Sequence, residues 1–202
     1  MVTRVAVLAL ATALGGGPAR AYEPPIGIPA PEFGIDETVA GVYGDGYYTH
    51  YIDSTHPRAS DDDNARGSAE RPRLTVPDWL SDLPPGTVIE IHGGPYHFPR
   101  WANWTAAGTP EEPVFIRGGD PDAPVRITRS RVELGGHYLI VENLELYDDS
   151  RFDISVGEPH HISVRHCEVH GPEGAATFGA AVRARGADIV VYGNHVHHNW
   201  RN

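Results

Sequence analysis

Leu139-Ile140-Val141-Glu142-Asn143-Leu144-Glu145-Leu146 is followed by Ile162-Ser163-Val164-Arg165-His166-Cys167-Glu168-Val169 and by Ile189-Val190-Val191-Tyr192-Gly193-Asn194-His195-Val196. The three stretches share one pattern. The first and third residues are β-branched or Leu, and the eighth is Leu or Val. Successive copies are offset by 23 and 27 residues. A fixed period of this size with alternating apolar residues marks a solenoid.

Each copy holds two apolar pairs that are out of step, 139/141 with 144/146 and 162/164 with 167/169. Alternation argues strand, because successive side chains in a strand point to opposite faces. The phase shift at Asn143, His166 and Gly193 requires a bend between two short strands. Helical repeats would need a 3.6-residue period and unbroken helix formers. Here Gly157, Pro159, Gly171, Pro172, Gly174, Gly179 and Gly186 punctuate the intervals. The pattern predicts an all-β chain wound as a parallel β-helix.

Stacking coils at the sheet spacing of about 4.8 Å brings equivalent positions into contact. Leu144, Cys167 and Asn194 then form one inward row, with the Asn194 amide pairing with the backbone of a neighbouring coil. The lone Cys167 reads as a small buried hydrophobe. Outward rows follow from the same alignment. Glu142, Arg165 and Tyr192 form one row, Glu145, Glu168 and His195 the next, and Tyr147, His170 and His197 a third. Adjacent Glu145 and Glu168 repel, which raises one of their pKa values unless a cation or Arg165 intervenes. His170, His195, His197 and Glu168 are also transition-metal ligand types. The plainer reading of such rows is a solvated face.

Residues 1–21 read as an export signal: Arg4, an apolar run from Val5 to Leu14, and Ala19-Arg20-Ala21 as a cleavage pattern. The protein is therefore expected to be secreted, extracellular or periplasmic, with no membrane insertion after cleavage. Residues 22–46 are a Pro/Gly-rich leader, and 47–202 the β-helix domain. One Cys allows no internal disulfide. The formal net charge is −11, and every base is Arg. Removing the signal takes away Arg4 and Arg20 but no acid. Such acidity argues against nucleic-acid binding, which depends on neutralising phosphates.

Within the domain, Tyr47–Asp53, Thr87–Ile91, Pro113–Gly118 and Pro124–Ile127 read as strands. Leu74, Val76, Trp79, Leu80 and Leu83 give a helical spacing that Pro77 can open. This segment is expected to cap the first coil, since an exposed edge offers unpaired backbone groups. Trp101 and Trp104 read as a loop excursion. Tyr96, Trp101 and Trp104 are candidates for stacking on sugar rings or for packing. Asn103-Trp104-Thr105 has the glycosylation-acceptor pattern. Asp61-Asp62-Asp63-Asn64 offers hard oxygen donors of the kind calcium takes, or a solvated turn. The chain stops at Asn202 soon after the third copy, so a longer solenoid, truncated here, is expected.

Tyr51-Ile52-Asp53, Gly67-Ser68-Ala69-Glu70-Arg71-Pro72 with Leu74-Thr75, Leu83-Pro84-Pro85-Gly86-Thr87-Val88-Ile89-Glu90-Ile91, His92-Gly93-Gly94-Pro95-Tyr96, and Gly108-Thr109 with Pro113-Val114-Phe115-Ile116-Arg117-Gly118 occur in order before the repeats. In these stretches the chain resembles the pectate-lyase-like superfamily of right-handed parallel β-helix proteins, over roughly residues 47–202. The resemblance implies a secreted carbohydrate-active protein that binds and cleaves an acidic polysaccharide, as a lyase or a hydrolase. It implies calcium as the cofactor and, in the absence of Lys, Arg as a base. No motif of the family's catalytic set maps onto this sequence. From the rows, catalytic roles are expected for Glu145, Arg165, Glu168 and His195, and substrate contacts for Glu142, Tyr192, His170 and His197. The alternatives are a non-catalytic surface or adhesion solenoid, which the fold also hosts, and a metal-dependent enzyme using the histidines.

Overall fold

The computed structural model describes residues 48–99, 101–120, 122–173 and 181–198. The expected export signal at 1–21, the expected leader at 22–46, Tyr47 and the last residue, Asn202, lie outside the described residues. The chain winds as β1 (His50–Asp53) and β2 (Trp79–Leu83), then β3 (Val88–His92), β4 (Tyr96–His97) and β5 (Trp101–Ala107). It continues through β6 (Val114–Gly118), β7 (Val125–Thr128), β8 (Arg131–Glu142), β9 (Leu144–Tyr147) and β10 (Arg151–Arg165). It closes with β11 (Glu168–His170), β12 (Val182–Ala184), β13 (Ala187–Tyr192) and β14 (His195–His197).

All pairings between these strands are parallel, and they stack the coils into a β-solenoid of about 4 turns. Three walls result. The first stacks β1, β3, β6, the end of β8, the end of β10, and β13. The second stacks β4, β7, β9, β11 and β14. The third stacks β2, β5, the start of β8, the start of β10, and β12. The long strands β8 and β10 run through the corner between the third wall and the first.

The register is the one the repeats dictate. Ile162 pairs with Leu139 and with Ile189, and Glu168 with Glu145 and with His195. The bend between the first and second walls falls at Asn143 (φ 55°), His166 (φ 51°) and Gly193 (φ 63°). All three are left-handed, a conformation that Gly adopts freely and Asn tolerates. Asn143 also donates from Nδ2 to the Gly118 carbonyl of the preceding coil at 3.0 Å. Asn194 does the same work two corners on: its Oδ1 accepts from Cys167 N and its Nδ2 donates to Val164 O, both at 2.8 Å. At the corner inside β8, Gly136 has φ 76°, and a Cβ there would lie 1.9 Å from the Ala106 carbonyl oxygen.

Ile89, Ile116, Val141 and Val164 form one inward row, and Leu144 and Cys167 another. Each such Leu, Ile or Val contributes about 1.5–3 kcal/mol by leaving water. Burial pushes the Cys167 thiol up to about 12.

Several expectations change. No helix forms over 74–83. Trp79–Leu83 is instead the first strand of the third wall, and Leu80 pairs with Trp104. Its apolar spacing fits a helix because an edge strand with a register shift between Leu80 and Leu83 breaks strict alternation. Trp101 and Trp104 belong to β5 rather than to an excursion, and Trp104 is fully buried with its indole N–H donating to Pro77 O. Tyr96 is buried as well, its hydroxyl donating to His92 O at 2.6 Å, so neither ring is free to stack on a sugar. Asn103 of the acceptor pattern is buried inside β5.

Two outcomes check this architecture. Cys167 is expected to resist thiol reagents in the native protein at pH 8 and to react fully once denatured. Asn143→Ala is expected to lower unfolding free energy by about 1–3 kcal/mol, from the lost hydrogen bond and the strained φ. Asn143→Gly, which keeps the backbone geometry, should lose less; urea denaturation reads both.

Candidate functional site

The bend at Asn143, His166 and Gly193 sends the predicted rows to different walls. Glu142, Arg165 and Tyr192 lie on the first wall, and Glu145, Glu168, His170, His195 and His197 lie on the second. The rows that the repeats set side by side therefore lie on two faces. On the first wall the row is longer than the repeats indicate: Tyr51, Glu90, Arg117, Glu142, Arg165 and Tyr192 are successive register partners. Arg117 Nη2 lies 3.0 Å from Glu90 Oε2, and Arg165 Nε lies 2.7 Å from Glu142 Oε2. The Glu142 and Arg165 side chains are both 0% exposed. This is a buried charge ladder. It corrects the placement of Arg165 as an accessible base and of Glu142 as a substrate contact.

The second wall is different. Its outward row runs Arg126, Glu145, Glu168 and His195, beside a row of Thr128, Tyr147, His170 and His197. Arg126 was not apparent from the three repeats. It lies on β7, which is an earlier copy whose corner is stretched from a single Asn143-like residue to the segment between Gly118 and Val125. Aligning Val125 with Leu144 would have revealed it.

Arg126 clasps Glu145 with two donors, Nε to Oε2 at 2.9 Å and Nη2 to Oε1 at 2.7 Å. His170 donates from Nε2 to Glu145 Oε1 at 2.8 Å. Burial alone pushes the Glu145 carboxyl up, but the hydrogen bonds and charges of Arg126 and His170 outweigh it. The net effect holds Glu145 below the usual carboxylate range. Glu145 is thus a fixed anion and not the raised general acid that two neighbouring carboxylates would give. The intervening cation is Arg126.

For Glu168, the next residue in the row, no arginine among the described residues forms an ion pair. Its Oε1 faces three imidazoles: His197 Nε2 at 2.7 Å, His195 Nδ1 at 3.7 Å and His170 Nε2 at 4.0 Å. A carboxylate only accepts, so His197 donates from Nε2 and leaves Nδ1 as acceptor. His198 Nδ1, 2.8 Å away, supplies the matching donor. The His170 and His197 rings stack with centroids 4.5 Å apart. His195 is the open member, its side chain 74% exposed against 26% for His197. Alongside, His97, Thr128, Arg129, Tyr147 and Asp148 line a shallow hollow of about 260 Å³. Arg126 lies over the Tyr147 ring at 4.7 Å.

Calcium, which the resemblance implies, takes about six to eight oxygen ligands. The cluster around Glu168 offers mostly nitrogen. In the acidic loop, Asp61 already accepts from Leu74 N, Thr75 N and Thr75 Oγ1 and pairs with Arg73 at 3.1 Å. Neither arrangement presents the set of oxygen ligands that calcium takes.

Compared with protein-family models, curated proteins and solved structures, the chain matches none of them.

A pH dependence follows from Glu145. Its folded pKa is depressed, so its stabilisation is present above the ordinary carboxylate value and is lost as pH falls through the folded value. The clasp is partly solvated, so its contribution is on the order of 1 kcal/mol. Arg126→Gln is expected to remove that amount at neutral pH and to flatten the acid limb of stability against pH, read by urea midpoints.

Proposed function

We propose that the chain is a carbohydrate-active β-helix protein of the pectate-lyase-like kind that binds an acidic polysaccharide along its second wall and cleaves it by β-elimination. The observation that carries this reading is the in-register outward row from Arg126 to His195, with one polar or ionisable side chain per coil. A linear polymer laid along the stack would meet an equivalent position at each coil spacing. The hollow beside Tyr147 gives a sugar ring an aromatic edge.

Arg126 and Arg129 are the cations at this face, with side chains 47% and 73% exposed. Each is already paired, Arg129 with Asp148 at 2.7 Å, yet each guanidinium keeps donors to spare. Those donors suit uronate carboxylates. The acidic chain opposes a polyanion at a distance, so the arginines act at contact and not by long-range steering.

In this reading His195 is the base. Its Nδ1 is the nitrogen recorded facing Glu168, at 3.7 Å, and a carboxylate on that side favours the proton on Nδ1, which leaves the lone pair on Nε2. Nε2 would take the proton on the carbon next to the uronate carboxylate. The carbon–oxygen bond to the next sugar then breaks as a carbon–carbon double bond forms in the ring, and the departing oxygen takes a proton from water. A base in this role supplies about 10²–10⁴-fold.

Incubation with uronate polymers, followed by the ultraviolet absorbance of unsaturated products, tests the proposal. His195→Ala is expected to reduce the rate by about a hundredfold or more while polymer binding persists. No unsaturated product from any uronate polymer, with binding intact, would favour the non-catalytic glycan-binding solenoid. Wild-type rates in His195→Ala would remove His195 from the chemistry.

A further inference from the structure

We infer that Glu168, His195 and His197 form a binding site for a divalent transition metal of the zinc class. Their donor atoms all lie within 4.8 Å of one another. Two imidazoles and one carboxylate are a ligand set that zinc accepts, with a fourth position left open to solvent.

The distances suit the assignment. Ligand bonds of about 2.0–2.2 Å at tetrahedral angles place donors roughly 3.3 Å apart. The observed separations from Glu168 Oε1, 2.7 Å to His197 Nε2 and 3.7 Å to His195 Nδ1, bracket that value. Small side-chain rotations complete the site, and the backbone register already fixes its frame, since Glu168 and His195 are direct strand partners. His197 and His195 stand two residues apart on β14, with ring centroids 4.3 Å apart.

The surroundings support the ligands as outer partners do in metal sites. His197 would bind through Nε2, and its other nitrogen already faces His198 Nδ1 at 2.8 Å. The metal takes the place of the His197 Nε2 proton, which moves to Nδ1. His198 Nδ1 then accepts instead of donating, and its own proton passes to the exposed side of that ring. No proton has to leave the cluster. His170 stays outside the site as a wall, held by Glu145 and stacked on His197.

This site stands independently of the polysaccharide reading and meets it at one side chain, His195. With a metal on His195 Nδ1, the proton of that ring resides on Nε2, which then has no lone pair to act as base. Metal and β-elimination would therefore exclude each other, and metal occupancy would switch the activity off.

Zinc(II) titration calorimetry on the full chain, without polymer, reads the site directly. Cobalt(II) absorption reports its coordination. The expected result is one equivalent bound with a four-coordinate cobalt spectrum. His195→Ala and Glu168→Gln should each weaken binding at least tenfold. His195 is exposed, so its variant folds, and circular dichroism checks both proteins. Absence of one-to-one binding, or wild-type affinity in both variants, overturns the site. Because no polymer is present, neither outcome depends on the proposed activity. Where both hold, zinc suppresses product formation and a chelator restores it.

Discussion

Parallel stacking in register is the constraint on which everything else in this protein rests. At a spacing of about 4.8 Å, each side chain faces its own equivalents on the coils before and after. An apolar row gains from this, and a row of like charges cannot tolerate it. The first wall meets the problem by alternating sign: Glu90, Arg117, Glu142 and Arg165 follow one another along the stack. Such buried pairs contribute little net stability against apolar replacements, because desolvation offsets the attraction. Their effect is on register. A slip of two residues would set Glu142 against Ser163 instead of Arg165, and breaking a buried pair costs about 3–5 kcal/mol. The ladder therefore penalises misaligned coils more than it rewards the aligned one.

The second wall solves the same problem differently, and its chemistry comes from the difference. Glu145 and Glu168 are neighbours in one row, a like-charged contact that the stacking imposes. Arg126, one coil earlier, neutralises only the first of them. Glu145 is consumed in holding Arg126 and His170, whereas Glu168 is left with imidazoles. Two carboxylates with the same place in the repeat thus have separate fates, one structural and one available.

Much of this was legible in the sequence. The three repeats gave the strand pairs residue for residue, and the phase shift located the left-handed corner at Asn143, His166 and Gly193. Asn194 was identifiable as a bridging amide because an inward polar residue at a corner has backbone groups to satisfy. Other features were hidden for physical reasons. A phase shift reveals that a bend exists but not its angle, so the rows on either side of it read as one face. The copy on β6 and β7 was masked by its longer corner, and with it Arg126. Trp79 to Leu83 imitated a helix because an edge strand, exposed on one side, is not held to strict alternation.

Closing the 3.7 Å gap between Glu168 and His195 needs only a rotation of side chains, because the backbone register already sets the two residues side by side. Glu145 and His170, one coil in, are fixed by Arg126 and by stacking on His197. A site built on them would carry the same residue types but lack the freedom to adjust its donors around a proton or an ion.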